Sequence, residues 1–85
     1  MDFSSVKKEE ADRTAEAMAQ MERYCRKHPR SPSAVRRPKI MLRGSSFIAL
    51  LGSTLQDGIA GIGASVEAAL HAFDSQYAAL RTRRR

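Results

Sequence analysis

The sequence predicts an α+β protein: an N-terminal helix, a Pro/Arg-rich linker, then a small antiparallel β-hairpin or three-stranded sheet packed by a C-terminal helix. Three observations predict it. Apolar residues recur at helical spacing near both ends of the chain, three prolines fall between residues 29 and 38, and two short β-prone runs flank Gly44-Ser45-Ser46. A chain of 85 residues has room for one compact domain, which excludes a modular enzyme.

The first helix is expected from about Ser5 to Lys27 within an N-terminal segment, residues 1–28. Ser4 or Ser5 can cap it, Glu9, Glu10 and Asp12 sit early, and Arg26, Lys27 and His28 sit late, which suits the helix dipole. Glu9/Arg13 and Glu22/Arg26 are four apart with the acid first, each pair worth about 0.3 kcal/mol on an exposed face. Ala11, Ala15, Met18, Met21 and Cys25 form a narrow, pliable apolar stripe, a packing face against this chain or a second copy.

Residues 29–38 read as a linker, because Pro29, Pro32 and Pro38 remove backbone donors and stop the helix. Lys39 to Arg43 and Phe47 to Leu51 then read as the strands of a hairpin, and Ile59 to Ile62 as a brief third strand on its edge. Ser65 caps the last helix, which carries Val66, Ala69, Leu70, Phe73, Tyr77 and Leu80 on one face. The expected core is Ile40, Leu42, Phe47, Ala49, Leu51, Leu70, Phe73 and Tyr77. Residues 39–80 thus form the folded unit, and 81–85 an Arg-rich tail.

Charge is arranged in blocks that the overall net charge of +6 conceals. Residues 1–28 are balanced, whereas Arg30, Arg36, Arg37, Lys39 and Arg43 occupy a stretch with no acid. Asp57, Glu67 and Asp74 make the following unit mildly acidic, and Arg81, Arg83, Arg84 and Arg85 end the chain. These nine cations are the candidate contacts to nucleic acid or to an acidic protein surface. The single cysteine excludes an internal disulfide and favours a reducing compartment. No apolar run approaches a membrane span and the N-terminus lacks an export signal, so a cytoplasmic protein is expected.

From Pro38 to Leu80 the residues resemble the partly degraded double-stranded-RNA-binding-like unit of HicB-type antitoxins. The resemblance is carried by the strands Lys39 to Arg43 and Phe47 to Leu51, a short strand ending in Gly61-Ile62-Gly63, and the helix opening Ala64-Ser65-Val66-Glu67-Ala68-Ala69-Leu70. The family's usual proline and acid after the second strand stand here as Gly52-Ser53-Thr54. What the resemblance implies is a small protein-binding fold, often dimeric, that covers a partner's basic or nuclease surface, with no catalytic residue carried over.

Candidate chemistry is sparse. Cys25 and His28 have a C-x-x-H spacing, but a closed zinc site needs four ligands and only His71, distant in sequence, remains. His71, Asp74 and Ser75 are expected on a solvated helix face, without the geometry of a hydrolytic triad. Gly58 to Gly63 lacks the surroundings of a dinucleotide site. No catalytic residue, metal or cofactor is expected.

Two function classes remain. The first is a small non-enzymatic interaction module, antitoxin-like or an inhibitor from a phage or mobile element, which binds a nuclease or nucleic-acid-associated partner and forms a homodimer or larger. Its interface would use Met18, Met21, Ile48 and Leu50, because one helix covers only one face of a small sheet. The second is direct, non-specific contact with nucleic-acid phosphates, or a place as a small subunit in a larger nucleoprotein assembly. Few aromatics are free to stack on bases, which weighs against the second class.

Overall fold

The computed structural model describes residues 3–54 and 56–83, with side chains described between residues 13 and 80. Its order is α1 (Phe3–Lys27), α2 (Pro32–Arg36), β1 (Lys39–Arg43), β2 (Ser46–Leu51), β3 (Ile59–Gly63) and α3 (Val66–Arg83). This is the expected α+β arrangement, with a three-stranded antiparallel sheet in the order β1-β2-β3 and α3 packed on it.

Helix α1 already includes Ser4 and Ser5, so neither serine is its cap. It closes with the His28 N–H donating to the Tyr24 carbonyl at 2.9 Å, where Pro29 prevents continuation. The segment expected as an extended linker instead holds α2. Ser31 caps it, its Oγ accepting from the Ala34 N–H at 3.2 Å, and Pro32 occupies the first turn, where a missing donor costs nothing. Arg37 ends α2 in the left-handed region at φ 50°, its N–H donating to the Ser33 carbonyl at 2.9 Å. A proline cluster that stops one helix here starts the next.

Strands β1 and β2 join through Gly44-Ser45. The positive φ of Gly44 (64°), with none at Ser45, is the pattern of a type II′ turn and matches the strand twist. In register, Met41 faces Ile48 and Ile48 faces Ile62, while Ile40, Ala49 and Gly61 form the adjacent row. Side chains alternate between faces, so Ile40, Phe47, Ala49, Leu51 and Ile59 share one face and Met41, Ile48, Leu50 and Ile62 the other.

The helices share the first face. Val66, Ala69, Leu70 and Phe73 of α3 pack there with Ala49, joined by Ala17, Met21, Tyr24 and Cys25 of α1. Gly61 lets α3 come down onto β3, since a Cβ there would collide with the Phe73 nitrogen and the Ala69 carbonyl oxygen. The Ser65 Oγ accepts from the Ala68 N–H at 3.1 Å, capping α3 as expected.

The core differs from expectation in its membership. Leu42 lies on the helix side but is 42% exposed, because α1 stands off the hairpin there. A groove of about 520 Å³ opens between them, lined by Arg13, Ala17, Met18, Ile40, Leu42 and Phe47 among others. Ile48 and Leu50 are buried, Ile48 to 4% exposure, although they lie outside the helix-side cluster. They sit on the central strand, where Met41 and Ile62 flank Ile48 on both sides. Among the described residues no helix is long and apolar enough to cross a membrane.

Candidate interaction surface

The sheet face opposite the helices carries Lys39, Met41 and Arg43 from β1, Ser46, Ile48 and Leu50 from β2, and Ala60 and Ile62 from β3. Met41, Ile48 and Ile62 make one apolar row across the three strands. Ile62, at the open edge, is 59% exposed, and Lys39 and Arg43 are exposed along the opposite edge. No acidic side chain lies on these strand positions. The result is an apolar strip with a cationic margin.

Of the four residues expected at a protein interface, Met18 is exposed, whereas Met21, Ile48 and Leu50 are buried within the chain. Met21 faces the core with Tyr24 and Cys25. The apolar surface left on the outer sheet face is centred on Ile62, at the end of the expected edge strand. Its exposure is not legible in sequence, because it depends on which face of β3 the helices cover.

The candidate cations are also sorted by the fold. Arg36 donates from Nε to the Tyr77 hydroxyl at 3.0 Å and lies over that ring, its guanidinium carbon 5.8 Å from the centroid. Arg37 pairs with Glu22, the acid expected to pair with Arg26. Both arginines therefore tie α2 to the two long helices and do not belong to a free arm. Arg30, Lys39 and Arg43 are exposed and make no ion pair with a described residue. Arg84 and Arg85 lie outside the described residues, as do the side chains of Arg81 and Arg83.

Asp74 was expected on a solvated helix face with His71 and Ser75. It turns inward and gathers three donors: the Tyr24 hydroxyl at 2.6 Å onto Oδ2, and the Ser33 N–H at 2.8 Å and Ser33 Oγ at 2.7 Å onto Oδ1. Ser33 is fully buried. One carboxylate on α3 thus anchors α1 and α2 together. Burial, then the hydrogen bond to Asp74, raises the Tyr24 hydroxyl well above its ordinary pKa of 10.0. Burial, with Asp74 nearby, likewise raises the Cys25 thiol.

His71 lies beside Tyr24 and His28, with ring centroids 5.6 and 6.0 Å away, so the fold brings together two histidines that the sequence separates. Cys25 turns away into the core, its Sγ 3.9 Å from the Ser33 carbonyl oxygen. Among the described residues no three His, Cys, Asp or Glu side chains gather around a metal-sized space. Ser75 is exposed on a different side of α3 from Asp74. The Asp74 cluster is a set of donors satisfied by one acceptor, an arrangement that joins helices.

No protein-family model matches this chain, and neither a curated protein nor a solved structure does.

Proposed function

We propose that the chain is a small non-enzymatic interaction module, an antitoxin-like inhibitor that binds and blocks a nuclease or nucleic-acid-associated protein through the outer face of its sheet. The observation that carries this reading is the exposed Ile62 and half-buried Met41 on either side of the buried Ile48, on the sheet face opposite the helices, with the exposed Lys39 and Arg43 along the β1 edge. Apolar area supplies the affinity in such a contact, while the rim charges set orientation and association rate. The resemblance to HicB-type antitoxins supports a nuclease as the partner class, and the cationic rim calls for an acidic patch on the surface that it meets. Direct nucleic-acid binding is less well supported, because Arg36 and Arg37 are engaged within the fold and the outer face has no aromatic side chain to stack on a base.

The test begins with affinity capture from native lysate, followed by reconstitution of the captured protein with the pure chain. A nuclease activity titrated away at a fixed stoichiometry supports the reading. The double charge reversal Lys39→Glu/Arg43→Glu, at two exposed positions, should weaken that inhibition while leaving the melting curve unchanged. Salt-dependent binding to duplex of any sequence near about 50 mM salt, with no protein captured, would instead favour the phosphate-binding reading.

A further inference from the structure

The two edges of the sheet differ in a way that selects one of them for pairing. On β1, an antiparallel pairing centred on Met41 would set Lys39 of one copy directly against Arg43 of the other, like charges at both ends. Pro38 adjoins that edge, and the groove-lining residues of α1 flank it. On β3 the residues Ile59-Ala60-Gly61-Ile62-Gly63 include no charge and no proline. Such an edge lacks the charges and the proline that block strand addition on other edges.

A second, independent feature lies above the same edge. Asp74 and His71 turn toward α1, and Phe73 turns toward the sheet. At 100° per residue, the flank of α3 opposite Asp74 carries Ala68, Ala72, Gln76 and Ala79, uncharged and, except for Gln76, small, with Arg83 in line at the last turn. Ala68, Gln76 and Ala79 are exposed and Ala72 is half-buried. Helix α3 lies across β3 and β2, with its backbone close against Gly61 and Gly63. Two copies joined at β3 would turn these flanks of their α3 helices toward each other, and alanines permit a close helix approach.

We propose that a second copy of this chain adds antiparallel to β3, centred on Gly61, to make a continuous six-stranded sheet with α3 packed on α3. In that register Ala60 of one copy faces Ile62 of the other, which covers the exposed Ile62 side chains and extends the apolar row of the outer face. The pairing does not rest on the choice of partner protein, and it leaves Lys39 and Arg43 at the two far edges of the doubled sheet.

Sedimentation equilibrium of the pure full-length chain, together with amide hydrogen exchange at rising protein concentration, tests this without any partner. A dimer is expected, with protection growing at residues 59–63 as concentration rises and unchanged at 39–43. Ile62→Lys brings like charges together diagonally across the new strand pair, and Ala72→Glu does so between the helices. Each should raise the dissociation constant roughly tenfold while keeping the far-UV circular dichroism spectrum. A chain that stays monomeric up to about 1 mM, far above the range of specific association, overturns the proposal. So does a dimer indifferent to both substitutions, or one whose added protection falls on 39–43.

Discussion

Asp74→Ala removes the acceptor on which three helices converge, and the structure sets the size of the effect. Hydrogen bonds to a charged group contribute about 1.5–3 kcal/mol each. The three are not independent, because the Ser33 N–H and Oγ share one carboxylate oxygen, and the Ser33 Oγ also lies 3.3 Å from the Leu70 carbonyl oxygen, to which it can turn. The Ser33 N–H, on a fully buried residue, loses its acceptor. A loss of about 3–5 kcal/mol is expected, against a total stability of about 4–13 kcal/mol for a domain of this length. Tyr24→Phe, which removes one donor and keeps the ring packed, should cost about 1.5–2 kcal/mol alone and under about 0.5 kcal/mol once Asp74 is already alanine. Urea unfolding followed by far-UV circular dichroism on the four proteins of this cycle gives each value from shifts in midpoint at a common slope. A cost below about 1 kcal/mol for Asp74→Ala, or strict additivity with Tyr24→Phe, would refute the claim that this carboxylate joins α1 and α2 to α3.

Gly61→Ala should destabilise by about 2 kcal/mol or more, since the added methyl meets α3 backbone that no rotamer change can move aside; thermal melting reads it, and an unchanged midpoint would show that α3 can lift off β3 freely. Cys25, buried and with its thiol pKa raised, should react with a thiol reagent far more slowly in the native chain than in urea, and equal rates would place it at the surface. The raised pKa of Tyr24 means that the folded state holds this proton more tightly than the unfolded chain. The resulting stabilisation is complete below the unfolded value of about 10 and is lost as pH rises above it. Unfolding midpoints measured from about pH 8 to pH 11 should therefore fall more steeply for the wild type than for Tyr24→Phe; parallel curves would contradict the buried hydrogen bond.

Local chemistry made much of the fold legible in the sequence. Apolar spacing marked α3, Gly44-Ser45 marked the hairpin, and Ser65 marked a cap, because each of these acts on its own few neighbours. The linker was only half legible: Pro29 does end α1, but Ser31-Pro32 starts α2, and a proline at the first position of a helix has the same local signature as a breaker. Contacts made across long separations were not legible. Glu22 has Arg26 in helical reach, yet its partner is Arg37, and Asp74 on the edge of an apolar stripe gave no sign that Ser33 and Tyr24 would converge on it.

The candidate surface follows the same division. By itself the sequence determined the basic stretch from Arg30 to Arg43, the uncharged third strand, and the two apolar parities of the second strand, since these are properties of residues in order. The expected core already turned Phe47, Ala49 and Leu51 toward the helix, but only the tertiary structure decided that Ile48 and Leu50, on the other parity, are buried while Ile62 is exposed. It also decided that Arg36 and Arg37, though exposed, are held by Tyr77 and Glu22, while Lys39 and Arg43 remain at an edge. The reason is geometric: burial in a strand depends on whether a neighbour lies on each side of it, and strand order is set by packing between segments far apart in the chain.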